Sequence, residues 1–399
     1  MHVAETVVSW LRPGWPGDLA GQTRAWGEAE WAAARHAALV HGVAPLLAAR
    51  LEGSPAWAAL APALRDYCVE QRRLNGLRAA ALRADLAAIL RAAAAAGVAV
   101  LPLKGAVLVE RAYAEPGLRP MADLDVLVRP QALPQLHASM LSLGYQLREE
   151  TPRHRAYLRG ELVVASWDGE HPDNPRGVEV HSAVGERLRG IRCDITAALW
   201  EDASEGSCAG APCRMPTADA LLQHLLIHTC HNIIYRRLRL IQLYDLALVA
   251  PQVSEAAWHA MADSFARAGE GRLLFAPLAM AEGVFGPLAP PAARARLAQA
   301  TPAALRRLLA QTTPSDVSLC NRSEVSPQFR LAWYRPGGEW LGALLRVALP
   351  APTELRQRYP AAVGGLPGAY ARHAGHTAGW ALRAALGRQR RTGAIADSR

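Results

Sequence analysis

The stretch MADLDVLV, residues 121–128, sets two carboxylates inside an apolar run. Asp123 and Asp125 alternate with Leu124 and Val126, and Leu127 and Val128 follow. That texture predicts a β-strand, in which residues i and i+2 share a face. The two carboxylates then stand close together, where like charges repel and raise each other's pKa. A divalent cation relieves the repulsion. Mg²⁺ takes oxygen ligands and keeps positions open for substrate phosphates. Two carboxylates on one rigid strand are therefore suited to moving a nucleotidyl group between oxygens.

Such a site needs a third carboxylate, and VEVH at residues 178–181 offers one. Glu179 stands in a short apolar segment, with His181 on the same face by the same rule of two. Upstream, LKG (residues 103–105) offers the phosphate end. Gly105 lets backbone approach an anion, and the helix expected after it presents free N–H groups and a positive dipole end. Lys104 is placed to contact phosphate, and Arg119 is a second cation for a triphosphate. Of 44 basic residues, 43 are arginine, and Lys104 is the single lysine. In a chain so biased towards arginine, a surviving lysine marks a place that wants a compact ammonium rather than a planar fork.

The elements that position these residues follow from periodicity. Residues 25–97 carry apolar side chains at helical spacing, closed by Gly97 as a C-cap. Then come strand 98–103, helix 105–114, the turn-rich 115–120, strand 123–128, a helix closed by Gly144 and a strand at YQLRE. A further strand is expected at 157–167, then a loop, then the strand 178–182. After it the chain returns to helix, with Thr217 as an N-cap and Asp219 in the first turn. Helices are also expected near 339–347 and 376–387. The expected organisation is an N-terminal helical region (1–97), an α/β core (98–185), a helical domain (186–310) and a mixed, Pro/Gly-rich C-terminal region (311–399).

Composition bounds the rest. The chain has 399 residues, 51% of them apolar, enough for a large core and more than one domain. A formal charge of +9, spread without long single-sign runs, suits anionic substrates such as nucleotides. Six cysteines without a CxxC pair read as free thiols of a reducing compartment. The first residues show no signal-peptide pattern, and the apolar run Ala92 to Leu103 is too short to span a bilayer. The expected location is cytoplasmic.

LPLKGAVLVERAYAEPGLRPMADLDVLVRP, then LGY, then VEVH, with LLQHLLIHTCHN and RLRLIQLYDLALV downstream, resembles the uncharacterised nucleotidyltransferase family of bacterial proteins. That family is a branch of the DNA polymerase β-like nucleotidyltransferases. The resemblance implies an α+β fold, a minimal nucleotidyltransferase mixed-sheet core embedded in helical bundles. It implies metal-dependent transfer of a nucleoside monophosphate from an NTP to an acceptor, with Mg²⁺ or Mn²⁺ and release of pyrophosphate. Asp123 and Asp125 match the D-x-D metal ligands, Glu179 the third carboxylate and Gly105 the glycine motif. Lys104, Gly105, Arg119, His181 and His228 are the expected nucleotide-binding residues. The chain departs from the wider superfamily in having Ala106 after Gly105, where a serine or glycine is usual, and in the seventeen residues between Gly105 and Asp123. It also has no tryptophan just after VEVH. The metal half of the pattern is thus better matched than the phosphate half.

The resemblance leaves the acceptor open: a small molecule, peptide or protein, with partners encoded in a biosynthetic gene cluster. Two other readings stand beside it. One is a toxin-like modifier of RNA or tRNA, although basic residues and aromatics do not interleave as a stacking platform requires. The other is a non-catalytic nucleotide-binding scaffold, which intact Asp123, Asp125 and Glu179 oppose. His224, His228 and His231 fall at i, i+4 and i+7 of one helix, a spacing that fits a metal face but more often a helix interface. Of these three, His228 is the expected cleft residue. Asp245 is expected to pair with an arginine of residues 236–239. The arginines of 151–159 read as a solvated edge, and those of 388–391 as a solvated end.

Overall fold

The computed structural model describes residues 3–14, 17–188, 191–321, 327–359 and 364–385. They fall into two compact units, one built from residues 3–301 and 309–321, the other from 302–308 and the residues from 327 onward. The second unit is helical, with helices Gly338–Ala348 and Gly365–Ala385 where the sequence predicted helices. Residues 386–387 of the expected last helix, and the arginines of 388–391, lie outside the described residues. No helix among the described residues is long and apolar enough to cross a membrane. All six cysteines are free thiols.

The first unit holds a mixed sheet of five strands. They are β1 (Val100–Pro102), β2 (Asp123–Val128), β3 (Gln146–Glu150), β4 (His154–Leu158) and β5 (Gly177–His181), in the order β1-β2-β5-β4-β3. β2 and β5 run parallel, and every other neighbour is antiparallel. A parallel pair requires a long crossover. Here the connection makes a helix and the β3-β4 hairpin before β5 inserts beside β2. The fold is α+β, a mixed sheet embedded in helices.

Alternation sorts the sheet's two faces. Leu124, Val126, Val128, Val178 and Val180 are buried on one face, while Asp123, Asp125, Glu179 and His181 share the other. Five helices matter for the site: α1 (Pro62–Ala95), α2 (Lys104–Arg111), α3 (Leu133–Ser142), α4 (Ala218–Ile234) and α5 (Leu240–Val249). α1 has 34 residues and is about 50 Å long. It touches β2 and α3, and Gly97, with φ +69°, turns the chain from its end into β1. The Thr217 side chain caps α4 by accepting the Ala220 N–H.

One strand ends earlier than the sequence suggested. The expected strand 157–167 is β4, which stops at Leu158. Gly160, at φ +77°, turns the chain off the sheet, because few other residues adopt that conformation without strain. Residues 159–176 then form a loop despite the strand-favouring Leu162, Val163 and Val164.

That loop is held by α1. Arg78, only 2% exposed, spreads its guanidinium across backbone carbonyls from two segments. Nε donates to Met121 O (2.9 Å), and Nη2 to Ala122 O (2.6 Å) and Pro175 O (2.8 Å). Nη1 donates to Asn174 O (2.8 Å) and His171 O (3.2 Å), and Glu170 supplies the counter-charge at 3.0 Å. Arginine's five donors in a fixed fork make this possible. The loop and the approach to Asp123 are thereby fastened to one helix.

Two outcomes follow. Arg78→Met leaves several carbonyls and the Glu170 charge without partners, so it should lower unfolding stability by about 3–5 kcal/mol. Arg78→Lys, with three donors in another geometry, should recover little of that; chemical denaturation measures both, and a wild-type midpoint in Arg78→Met would contradict the assignment. The second concerns His41, which is buried and accepts the Leu240 N–H at Nδ1 (3.2 Å). Burial, then the Arg239 charge, push its pKa from 6.5 down to about 4. Between those values the unfolded chain binds a proton that the folded chain refuses. Stability therefore falls as pH drops through 6.5 and levels off below about 4, a loss of about 3 kcal/mol from this residue. His41→Gln should flatten that part of the stability-versus-pH curve in urea titrations.

Candidate active site

The site grows from the register of β2 and β5. Asp125 lies opposite Glu179, and Leu127 opposite His181, so the Asp125, Glu179 and His181 side chains share one face. β1 brings the ammonium. The Leu103 N–H donates to Asp125 O (2.9 Å), and the next residue is Lys104. Its backbone takes φ +44° as α2 begins, a conformation costly for a residue with a side chain.

Asp125 is the centre of the arrangement. It is 6% exposed, and its Oδ1 accepts from Lys104 Nζ at 2.8 Å and contacts His181 Nε2 at 2.9 Å. His181 Nε2 is also 3.5 Å from Glu179 Oε2. Burial alone raises the Asp125 pKa, but Lys104 and then His181 outweigh it and hold the carboxylate far below its usual range. The reciprocal effects agree. Burial disfavours the Lys104 and His181 charges, yet Asp125 draws both pKa values upward. Hydrogen bonding to His181 lowers Glu179, against its own partial burial.

Asp123 differs from its neighbour. It starts the strand, and its side chain is reached by solvent. Protein still surrounds the carboxyl group closely enough that desolvation, and then the Asp125 charge, push it up to about 7. Among the described residues, the ligand-competent atoms that lie within 4.8 Å of one another belong to Asp125, Glu179 and His181. The compact cluster thus joins Asp125 and the expected third carboxylate Glu179 with His181, while Asp123, the other carboxylate of the D-x-D pair, stands outside it. Two carboxylates and an imidazole fit a divalent cation that accepts oxygen and nitrogen.

Several expectations are relocated. A Cβ on Gly105 would meet Arg119 Nη1 at 2.6 Å and Met121 Sδ at 2.7 Å, so the missing side chain makes room for these two neighbours. Arg119 is committed elsewhere in the fold. Its Nη2 lies 2.8 Å from Asp245 Oδ2, its Nε 3.1 Å from Oδ1, and Tyr113 Oη donates to Oδ1 at 2.7 Å. Asp245 therefore pairs with Arg119 and not with an arginine of residues 236–239. The three α4 histidines do not converge on a point. His231 Nδ1 contacts Glu186 at 2.9 Å, while His228 Nε2 faces the Asn232 amide at 3.1 Å and the Gln242 amide at 3.5 Å. His224 is buried with Nδ1 unpartnered, its pKa pushed down to about 3 by burial and then by Lys104. His228 feels the same two influences, in the same direction.

Sequence reasoning missed Arg78, Glu170 and Arg239. Each sits in an arginine-rich or loop segment that resembles solvated surface, and no local spacing signals the contacts they make.

A family model described as uncharacterised nucleotidyltransferase matches residues 27–313. The chain belongs to that family. This nucleotidyltransferase is therefore an enzyme of phosphorus-containing group transfer, and the matched span includes the whole five-stranded sheet, α4 and α5. No curated protein matches the chain. The solution structure of the antibiotic-resistance factor ANT(2'')-Ia is similar at 16% identity over 46% of this chain and 92% of that one, with a TM-score of 0.33.

The Arg119–Asp245 pair carries its own expectation. Asp245 is 1% exposed, so Asp245→Ala strands a buried guanidinium and should cost about 3–5 kcal/mol. Replacing both partners, Arg119→Leu with Asp245→Ala, should cost less than the single change, as measured by a double-mutant cycle in urea. Simple additivity would show that the pair is not coupled.

Proposed function

We propose that this nucleotidyltransferase moves a nucleoside monophosphate from an NTP to a small-molecule, peptide or protein acceptor, with divalent-metal dependence and release of pyrophosphate. The observation that carries the reading is the pairing of Asp125 and Glu179 across parallel strands, with Lys104 and His181 gathered on the same carboxylate.

Asp125 and Glu179, joined by His181 and by Asp123 from the next position on the face, would hold Mg²⁺ or Mn²⁺. When bound, the ion supplies charge neutralisation at the phosphoryl oxygens. The chain's own groups do the rest. Lys104 holds Asp125 ionised and lies where its ammonium can turn to a triphosphate oxygen. The first N–H groups of α2, after Gly105, face an anion favourably. Glu179 either completes the cation site or takes the proton from the attacking acceptor oxygen. That oxygen forms a bond to the α-phosphorus as the bond to the pyrophosphate oxygen breaks, and pyrophosphate leaves. Arg119, engaged with Asp245, contributes field rather than contact. His228, kept neutral by burial, lines the cleft from α4. Catalysis on this reading is chiefly positioning and electrostatic preorganisation.

The test is pyrophosphate release with each of the four NTPs, Mg²⁺ and cell extract as the acceptor source. Asp125→Asn should lose about a thousandfold or more, and chelation should stop release until Mg²⁺ returns. Lys104→Met should raise KM for NTP more than it lowers kcat. Undiminished release by Asp125→Asn would overturn the proposal.

A further inference from the structure

Beside the D-x-D strand lies a cavity of about 350 Å³, within the size range of small-molecule sites. Leu39, Pro45, Leu162, Val164 and Trp167 give it apolar walls, and it extends to Pro120 and Ala122, the residues leading into Asp123. Two features set it apart from an ordinary surface groove.

The first is a rigidly supported apolar rim. Trp167 is 84% exposed and Leu162 76% exposed, on the 159–176 loop. A structureless loop of that length in a compact domain is uncommon and is usually either functional or disordered. This one is not loose. Besides Arg78, the Gln71 side chain accepts the Glu170 N–H (3.1 Å), Tyr67 Oη donates to Asp168 O (3.4 Å) and Arg35 pairs with Asp168. Asn174 spans the loop to Ser166 through both backbone groups, at 2.9 Å each. The scaffold holds large apolar side chains out in water, against the direction of the hydrophobic effect.

The second is an uncommitted cation. Arg239 lines the cavity, and its Nε donates to Val40 O at 3.2 Å. Its two Nη groups have no acceptor, and no carboxylate lies within ion-pair distance, among the described residues. Glu170 and Asp245 attract it only at longer range, and burial works against its charge. The other charged groups of the cavity, Arg78 and Glu170, are paired with each other at 3.0 Å. Gly42, at φ +68°, leaves the space in which the guanidinium lies, since a Cβ there would collide with Nη2.

We propose that this cavity is the acceptor site of the transfer reaction and takes a small molecule joining an apolar or aromatic body to an anionic group. Arg239 binds the anion through its Nη fork, which suits the oxygens of a carboxylate or a phosphate. Trp167 and Leu162 cover the apolar body, and the nucleophilic end reaches past Ala122 towards Asp123. The inference rests on the nucleotidyl-transfer reading of the D-x-D strand.

The test uses the full chain with 4-hydroxyphenylacetate, its primary amide and 4-hydroxybenzylphosphonate, read by calorimetry and saturation-transfer NMR. One or both anions should bind saturably, and the neutral amide about tenfold more weakly. A preference for the carboxylate or for the phosphonate assigns the anion. Trp167→Ala, at an exposed position that leaves the fold intact, should weaken anion binding roughly fivefold. Arg239→Gln should reduce anion binding to the level of the amide. Neither variant should alter affinity for Mg²⁺ with a non-hydrolysable NTP. Equal binding of amide and anions, no effect of Trp167→Ala, or loss of NTP affinity in Trp167→Ala would overturn the assignment. The last result would make the cavity a base pocket. A wild-type chain that binds the anions but no Mg²⁺–NTP would instead sink the nucleotidyl-transfer reading and leave the anion cavity standing.

Discussion

Asp125 is a carboxylate that the sheet buries and that water cannot solvate. The fold tolerates it because an ammonium and an imidazole converge on one of its oxygens, Lys104 at 2.8 Å and His181 at 2.9 Å. A buried charge without such partners would take up a proton. Most of the local architecture can be read as the means of delivering those two groups. β1 must lie antiparallel to β2 so that Leu103 hydrogen-bonds beside Asp125 and the following residue arrives within reach. β5 must lie parallel to β2 so that Glu179 and His181 emerge on the same face. The positive φ of Lys104 is a local strain that this geometry sustains.

The same compensation links the fold to the proposed chemistry. A divalent cation among Asp125, Glu179 and His181 would meet carboxylates already ionised and already gathered, with little reorganisation left to make. On the proposed reading Lys104 would then turn towards the phosphates, and one side chain would serve both arrangements. Rigidity elsewhere supports this economy. Arg78 ties the 121–122 approach and the 170–175 segment to α1, which fixes the start of β2 and the entry to β5 together. The Arg119–Asp245 pair joins the turn before β2 to α5, so this helix is braced against the approach to the sheet.

Much of this was legible in the residues. Alternation in DLDVLV and VEVH identifies both strands and puts the acids on one face, because the period of two is local and leaves no choice. The sole lysine in an arginine-biased chain points to Lys104, Gly97 marks a helix end through its backbone conformation, and Thr217 marks one through its capping side chain. What was not legible depended on contacts distant in sequence. LVVASW has the composition of a strand, but whether it pairs is decided by neighbours, and Gly160 turns it away. Arg78 reads as one more solvated arginine on a helix until the chain folds carbonyls from five positions around it. Arg119 and Asp245 lie 126 residues apart, and spacing cannot say which arginine an isolated acid will choose. That a Cβ at Gly105 would meet Arg119 and Met121 is likewise set by contacts that local spacing does not show.

The chain's single lysine makes the central interaction directly observable. With ¹³C,¹⁵N-labelled lysine, the protein should give one side-chain signal, displaced from the position of a solvated lysine by its contact with Asp125. In Asp125→Asn the signal should return towards the solvated position, and in the wild type it should move saturably when Mg²⁺ and a non-hydrolysable NTP are added together. A signal at the solvated position that ignores both the substitution and the ligands would contradict the account.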